Sequence, residues 1–185
     1  MTPSAWNSVR NAASLAAADV ASPPTGLYVH VPFCVSLCPY CDFVVYPGAA
    51  ARGARNRMHA FVQALLTEIE LRADACDAAF ADHPPLHTVY LGGGTPSLLP
   101  SEAFHQILVA VRTRFGVARD AEVTLEANPG PGERGDLVAA AAAGVTRVSF
   151  GAQSFVDAEL RRLGRRHRRC DVADAVAEAR GAGIH

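Results

Sequence analysis

Apolar and polar positions follow two different rhythms along this chain from residue 27 onward. Four short runs rich in β-branched and aromatic residues predict strands, and they cover 27–31, 88–91, 122–126 and 147–150. Between these runs, apolar residues recur at steps of three and four, which is typical of amphipathic helices with one buried face. Strands that alternate with helices indicate parallel β/α units, and the chain has four of them.

The helical patterns have recognisable ends. The predicted helices cover 56–76, 101–115, 135–144 and 170–183. Ser101 stands at the start of the second helix, where its hydroxyl is expected to cap the first turn. Gly144 closes the third helix, because a glycine just after the last helical residue readily adopts the left-handed conformation.

Length and composition limit the kind of protein. The 185 residues are half apolar and carry a formal net charge of −1, which suits one domain with a substantial core. That balance favours neither nucleic acid nor anionic lipid as a partner. The sequence has no run of 18 apolar residues and no secretory signal, so we expect no integral membrane segment and a cytoplasmic location. We expect residues 1–26, rich in Ala, Ser and Pro, to form a mobile leader ahead of a core covering 27–185.

An unusual loop follows each predicted strand. In chain order, the four loops contain the stretches PFCVSLCPYC, GGGTPS, ANPGPG and GAQS. In a β/α barrel, the loops after the carboxyl ends of the strands share one face, and active sites form there. The sequence therefore predicts one site assembled from four loops.

Three of the five cysteines lie in the first of these loops. The spacing C-x3-C-x2-C brings Cys34, Cys38 and Cys41 together, and thiolates suit soft metals and iron–sulfur clusters. Since a four-iron cluster usually takes four thiolates, three would leave one iron free for a substrate or cofactor. A zinc site completed by a histidine and unrelated buried cysteines are the alternatives. Cys76 is expected to be a buried structural thiol, and Cys170 a structural or incidental one.

Other residues near these loops have two interpretations each. The glycines at 92–94 allow close backbone approach to a ligand, or simply form a tight turn. Glu126 is either in a core ion pair with an arginine or in contact with a ligand, and Gln153 is either a satisfied core amide or a ligand contact. His30 is either a core histidine or part of the cysteine site. The six arginines within 161–169 are expected mostly to form a solvated face.

Taken together, the stretches YVHVPFCVSLCPYCDF, YLGGGTPS, LEANP, RVSFGAQSF and LRRLGRRH resemble the radical S-adenosylmethionine (SAM) superfamily. They are most like its branch that contains oxygen-independent coproporphyrinogen III oxidase and a related haem chaperone. The resemblance covers about residues 27–185. It implies an α/β fold, the N-terminal part of a radical SAM core domain, in which a partial (β/α) barrel of about four units stops before a fifth strand.

The resemblance also implies cofactors and the residues that bind them. Cys34, Cys38 and Cys41 would hold a [4Fe–4S] cluster, whose free iron would be chelated by the amino and carboxylate groups of SAM. An electron from the cluster would cleave SAM to methionine and a 5′-deoxyadenosyl radical, so the cofactors carry the difficult chemistry. The residues implied in the SAM site are Tyr28, Tyr40, Gly93, Gly94, Thr95, Glu126, Gln153 and Arg165.

Two departures from the branch bear on function. Cys41 is followed by Asp42 and Phe43, whereas the oxidases usually carry a further cysteine there, so the haem chaperone is favoured over the oxidase. The chain ends at GAGIH, where relatives would begin a fifth strand, and the chaperone's haem-associated motif would lie beyond that point. We therefore expect the chain to be marginally stable alone, and haem to bind only to a longer form.

The partners implied by the resemblance are SAM, haem or a porphyrinogen, and a reducing electron donor, without nucleic acid. An oligomeric state does not follow from it. The alternatives to a haem chaperone are a true coproporphyrinogen III oxidase that decarboxylates two propionates, an inactive truncated fragment and a zinc-binding module. Whether the chain is an enzyme stays open, with the chaperone role favoured.

Overall fold

A computed structural model describes residues 22–48 and 55–185 of the chain. Most of the predicted leader, residues 1–21, lies outside the described residues. Six strands are present within the described part: β1 Gly26–Val31, β2 Phe33–Cys34, β3 Tyr46–Pro47, β4 Leu86–Gly93, β5 Val117–Ala127 and β6 Arg147–Phe150. The four longer strands include every residue of the four predicted strands.

The four longer strands form one parallel sheet in the order β1-β4-β5-β6. Sequential neighbours joined by helical crossovers are the arrangement of a β/α barrel wall. Among the described residues this sheet remains open, which confirms the predicted partial barrel. Beyond β6, the His185 N–H donates to the Thr146 carbonyl at 3.1 Å, and the Val148 N–H donates to the His185 carbonyl at 3.0 Å. His185 therefore extends the sheet in parallel register beside β6.

Five helices accompany these strands: α1 Arg55–Ala79, α2 Ser101–Phe115, α3 Leu137–Ala143, α4 Asp157–Arg162 and α5 Arg169–Gly181. A single 3-10 turn, Pro96–Leu98, follows β4. The short α4 has no counterpart among the predicted helices. No described helix is sufficiently long and apolar to cross a bilayer.

The ends of the helices differ in part from expectation. Ser101 is the first helical residue of α2, not its cap: Pro100 takes the cap position, and no side-chain capping hydrogen bond forms there. Proline has no N–H and fixes its own φ, so it readily precedes a helix without closing it through a side chain. Gly144 does end α3, in the left-handed conformation at φ +101°, as predicted.

The core lies between one face of the sheet and the helices. Alternate strand residues point to this face, and they pack in one apolar cluster with residues of α1 and α2 that include Ile69, Ile107 and Val111. Burying each large aliphatic side chain contributes about 1.5–3 kcal/mol, so this face supplies most of the driving force for folding. Cys76 is buried in the same cluster, which confirms it as a core thiol.

The opposite face of the sheet is polar. One row across the four strands carries Tyr28, Tyr90, Thr124 and Arg147, which are register partners in that order. The Tyr28 and Tyr90 rings stack with centroids 6.1 Å apart, and Arg147 Nη1 donates to Thr124 Oγ1 at 3.2 Å. Because side chains alternate along a strand, the residues on either side of this row point to the opposite, apolar face, on which the helices pack.

Candidate functional site

A cleft of about 340 Å³ opens at the carboxyl ends of the four sheet strands. Loops that follow all four strands contribute to its walls. Ten of the eleven residues singled out by the resemblance border it, and they are Cys34, Cys38, Tyr40, Cys41, Gly93, Gly94, Thr95, Glu126, Gln153 and Arg165. Tyr28 lies below the cleft, on the polar face of β1, and is 53% exposed. The structure thus brings these residues together, while their individual roles stay predictions.

The cysteine loop is closed at its base by two very short strands. In the β2–β3 pair Phe33 lies opposite Tyr46, and the Tyr46 N–H donates to the Pro32 carbonyl at 2.6 Å. Within the loop, the Cys41 N–H donates to the Cys38 carbonyl at 3.1 Å and forms a tight turn. The three thiols, all free and half-buried, therefore lie on one compact loop beside the cleft.

Burial raises the pKa of the Cys34 thiol. The hydrogen bond from Thr95 opposes this rise, and the nearby Cys41 and Cys38 add to it. The thiols are thus close enough to influence one another's charge. A protonated thiol is a poor ligand, so loading a metal here must release protons.

The spacing of the thiols bears on the kind of metal. Within 22–48 and 55–185, no three His, Cys, Asp or Glu side chains converge on a position for a single ion. Zinc needs all its ligands at about 2.0–2.3 Å from one point. The thiolates of an iron–sulfur cluster instead bind different irons, so they need not converge. The three thiols are thus not arranged around one point in the described part of the chain.

His30 attaches the cysteine loop to the sheet. Its Nε2 lies 2.9 Å from the Val44 carbonyl, and its Nδ1 lies 3.1 Å from the Tyr28 hydroxyl. Because a carbonyl can only accept, Nε2 donates to Val44, and in the neutral ring Nδ1 then accepts from the Tyr28 hydroxyl. Tyr28 thereby reaches the cysteine loop through His30 instead of lining the cleft. Burial, and then Glu126, raise the pKa of Tyr28.

The glycine run after β4 packs directly on the start of the cysteine loop. The Gly94 N–H donates to the Val31 carbonyl at 2.8 Å, and the Thr95 N–H donates to the Phe33 carbonyl at 2.7 Å. A Cβ on Gly94 would lie 2.7 Å from the Phe33 carbonyl oxygen. Only glycine permits so close a contact between the two backbones. The run is therefore more than a tight turn, because it supports the loop that carries the cysteines.

Glu126 lies near the end of β5 and borders the cleft. Its Oε1 accepts from the Tyr90 hydroxyl at 2.8 Å, and its Oε2 accepts from the Gly93 N–H at 3.0 Å. Its partners are thus a phenol and an amide, not the arginine of a core ion pair. Burial raises the pKa of Tyr90, and the hydrogen bond to Glu126 raises it further.

Gln153 is exposed and has a left-handed backbone at φ +65°. Its exposure does not fit a buried core amide. A residue other than glycine costs about 1–2 kcal/mol in this conformation. Strain of this kind often marks a binding site, and Gln153 borders the cleft.

Arg165 turns inward while its arginine neighbours stay exposed. Its Nη1 lies 3.4 Å from Cys38 Sγ and 3.4 Å from the Tyr40 hydroxyl, and its Nη2 donates to the Gly151 carbonyl at 2.7 Å. Its Nε is buried without a partner. The solvated face predicted for 161–169 is confirmed for the other five arginines. Burial raises the pKa of Tyr40, while Arg165 works against that rise.

Sequence reasoning missed two polar residues of the loop after β5. Asn128 donates to Thr95 and accepts from Arg165, and the buried Glu133 accepts from Asn128 at 2.9 Å. Asn128 lies in the LEANP stretch and in the predicted ANPGPG loop, but an Asn-Pro pair after a strand is typical of a turn and gives neither residue a role. Their partners lie in distant loops, so the role of each depends on the fold.

The fold and the cleft agree with a comparison against protein families. The family model described as the Radical SAM superfamily matches residues 28–185, so the chain belongs to this superfamily. Within that superfamily it is similar to heme chaperones. It is 41% identical over 162 residues to heme chaperone HemW of Escherichia coli (strain K12), covering 88% of this chain and 40% of that protein.

Two further relatives support the same branch. Heme chaperone HemW of Mycobacterium tuberculosis (strain CDC 1551 / Oshkosh) is 44% identical over 161 residues, covering 87% of this chain and 40% of that protein. The solved structure of coproporphyrinogen III oxidase HemN from Escherichia coli, described as a radical SAM enzyme, has a TM-score of 0.76. That similarity is 27% in identity and covers 94% of this chain and 38% of HemN. The chain spans about 40% of the length of the curated HemW relatives named here.

Proposed function

We propose that this chain binds a [4Fe–4S] cluster through Cys34, Cys38 and Cys41 and binds SAM in the adjoining cleft, as part of a haem chaperone of the HemW type. The observation that carries the proposal is the position of three half-buried thiols beside a cleft that also holds Arg165. Membership of the Radical SAM superfamily and similarity to HemW support it.

The cleft has groups that fit the polar end of SAM. Arg165 has a buried Nε without a partner, and a buried donor left unsatisfied costs about 1–3 kcal/mol. A carboxylate placed beside it would remove that cost. Glu126 already accepts two hydrogen bonds, yet a carboxylate has about four acceptor positions and can take an amino group as well.

The residues of this chain would bind and orient the cluster and SAM and would tune the reduction potential of the cluster. The bound cofactors would supply the reaction itself. When bound, the cluster would supply the electron that breaks a sulfur–carbon bond of SAM and releases methionine. Thr95 and Arg165 donate toward the sulfurs of Cys34 and Cys38. Tyr40, 45% exposed at the cleft, would pack against the adenine side of SAM.

A chaperone is favoured over an oxidase by the residues after the third cysteine. Asp42 and Phe43 follow Cys41, so the further cysteine that is usual in the oxidases is missing at this place. The proposed partners are haem or a porphyrinogen and a reducing electron donor. A cytoplasmic location stays a prediction.

Anaerobic reconstitution with iron and sulfide tests the cluster. We expect about four irons per chain and absorption near 400 nm, both lost in Cys38→Ala and both kept in Cys170→Ala. Cys170 is a matched control because it is exposed and outside the loop. Absence of iron from the parent chain, or tight zinc in its place, would overturn the assignment.

A second pair of measurements separates the chaperone from the oxidase. Both use a longer form of the protein that spans the length of its HemW relatives, and titration of that form with hemin should show saturable binding for a chaperone. Incubation with coproporphyrinogen III, SAM and a reductant should leave the propionates intact. Decarboxylation of the porphyrinogen would favour the oxidase instead.

A further inference from the structure

Asn128 lies directly after β5, half-buried in the cleft wall, between loops from distant parts of the chain. Its Nδ2 donates to Thr95 Oγ1 at 3.3 Å and to Glu133 Oε2 at 2.9 Å. Its Oδ1 accepts from Arg165 Nη2. The amide therefore uses both donor hydrogens and its acceptor within the protein.

Hydrogen bonds connect Cys34 to Cys38 through this amide. The Thr95 hydroxyl accepts from Asn128 and donates to Cys34 Sγ at 3.7 Å. On the other side, Arg165 Nη1 donates to Cys38 Sγ at 3.4 Å. Each of these two sulfurs therefore has a side-chain donor that is also hydrogen-bonded to Asn128, and the Tyr40 hydroxyl is a further partner of Cys38.

Glu133 determines which way the amide points. It is 9% exposed, and its Oε1 lies 3.2 Å from Arg166 Nε. Because a carboxylate only accepts and a guanidinium only donates, Nδ2 must face Glu133 and Oδ1 must face Arg165. An aspartate at position 128 would keep the bond from Arg165 but lose both donations, and it would place a second carboxylate against Glu133.

We propose that Asn128 is a positioning residue of the cysteine site. It holds the Thr95 hydroxyl against Cys34 and the Arg165 guanidinium against Cys38, and Glu133 orients its amide. The redox consequence rests on the proposed function, in which both sulfurs bind a cluster. Hydrogen bonds to cluster sulfurs stabilise the added negative charge of the reduced state and so raise the reduction potential. Asn128 would thus raise the potential without touching either sulfur.

The first test uses the chain without cofactors. A guanidinium held at both Nη atoms rotates slowly and shows slowly exchanging Nη protons in ¹H–¹⁵N spectra, and Arg165→Lys identifies these signals. We expect Asn128→Ala to weaken them and to speed the exchange of the Nη2 protons, because Nη2 would then keep the Gly151 carbonyl as its remaining acceptor. Asn128→Asp should keep them, because its carboxylate still accepts from Arg165. Ser97→Ala is the matched control, since its buried hydroxyl donates to the Glu133 carbonyl in the same loop and neither cysteine is its partner.

The second test uses the chain reconstituted with iron and sulfide. We expect Asn128→Ala and Asn128→Asp to keep about four irons per chain, because all three cysteines remain. Their midpoint potentials should shift to more negative values. In Asn128→Ala both donors lose their bond to the amide, and in Asn128→Asp the Thr95 hydroxyl loses its donor while a carboxylate is added. Ser97→Ala should keep the parent potential. Unchanged potentials in both Asn128 variants, or unchanged Arg165 signals in Asn128→Ala, would overturn the proposal.

Failure of this inference and failure of the proposed function give different results. If the parent chain takes up no cluster, the proposed function fails, while the Arg165 signals still decide whether Asn128 positions the guanidinium. If Asn128→Ala does not fold, Asn128→Asp and Glu133→Gln replace it. Glu133→Gln presents a donor as well as an acceptor to Asn128, so the amide loses its fixed orientation and the midpoint potential should become more negative. A potential equal to that of the parent would contradict the role given to Glu133.

Discussion

Arg165 Nη1 lies 3.4 Å from the sulfur of Cys38, although 127 positions separate the two residues in the chain. The contact joins the loop beyond β6 to the cysteine loop beyond β1, and so closes the cleft from both edges of the sheet. Gly164 supports it, since a Cβ there would lie 3.3 Å from Pro39 Cδ. The cleft therefore depends on the whole sheet being assembled.

Replacing Arg165 by lysine should weaken SAM binding to the cluster-loaded chain by roughly tenfold or more. Lysine keeps the charge but cannot hold two acceptors in a planar fork, and a hydrogen bond to a charged group contributes about 1.5–3 kcal/mol. Equilibrium dialysis with labelled SAM measures the change. Arg162→Lys, on an exposed neighbour, should bind SAM as the parent does. Equal affinity of Arg165→Lys and the parent would contradict a role for this guanidinium.

Gly94→Ala should lower the free energy of unfolding by about 1–3 kcal/mol, because the new methyl group would press on the backbone carbonyl of Phe33. The atoms that this methyl group would meet belong to the backbone, so they cannot rotate away as a flexible side chain could. Gly132→Ala is the control, since no atom lies within 4 Å of its Cβ position. Urea unfolding of both variants gives the comparison. Equal losses of stability in the two would show that the contact at Gly94 is not tight.

Gln153→Gly should raise the stability of the chain, whereas Gln153→Ala should leave it close to that of the parent. Glycine adopts φ +65° without strain, so it should stabilise the chain by up to about 1 kcal/mol, whereas alanine keeps the strain. Under the proposed function, both variants lose the amide and should bind SAM more weakly. Urea unfolding and SAM dialysis test the two effects separately. A less stable Gln153→Gly would contradict the presence of backbone strain.

Acidification should destabilise the chain through His167. This histidine is 4% exposed and lies 3.0 Å from the Ala152 carbonyl, and burial lowers its pKa, with Arg165 lowering it further. Because the pKa of His167 is lower in the folded state, the neutral ring contributes its full stabilisation above the unfolded-state pKa of about 6.5. That contribution is lost as the pH falls from there through the folded-state pKa. The loss can reach about 1.4 kcal/mol per pH unit within that window.

Urea unfolding at about pH 7.5 and about pH 5.5 measures the effect of His167. His167→Gln should lose less stability between the two conditions than the parent does. His105→Gln, on an exposed position of α2, should behave as the parent. A His167→Gln variant with the same acid sensitivity as the parent would assign that sensitivity to other groups.

The regular elements could be predicted from the sequence because their signals are local. The apolar periodicity of α2 reproduces its observed bounds, and Gly144 ends α3 where expected. The short α4 was missed because six residues carry little periodic signal. The β2–β3 pair was missed for the same reason, since two-residue strands form only where the fold brings them together.

Short stretches of sequence are enough to predict the alternation of strands and helices, the three-cysteine loop and the family, because each of these signals is local. How the loops cooperate depends on tertiary contacts. These contacts place Asn128 between Thr95 and Arg165, which lie 33 and 37 positions away in the chain. They also place the Tyr28 hydroxyl against the ring of His30, outside the wall of the cleft. Hydrogen bonds are short and directional, so which distant side chains meet depends on strand register and loop path, and no single stretch of sequence contains that information.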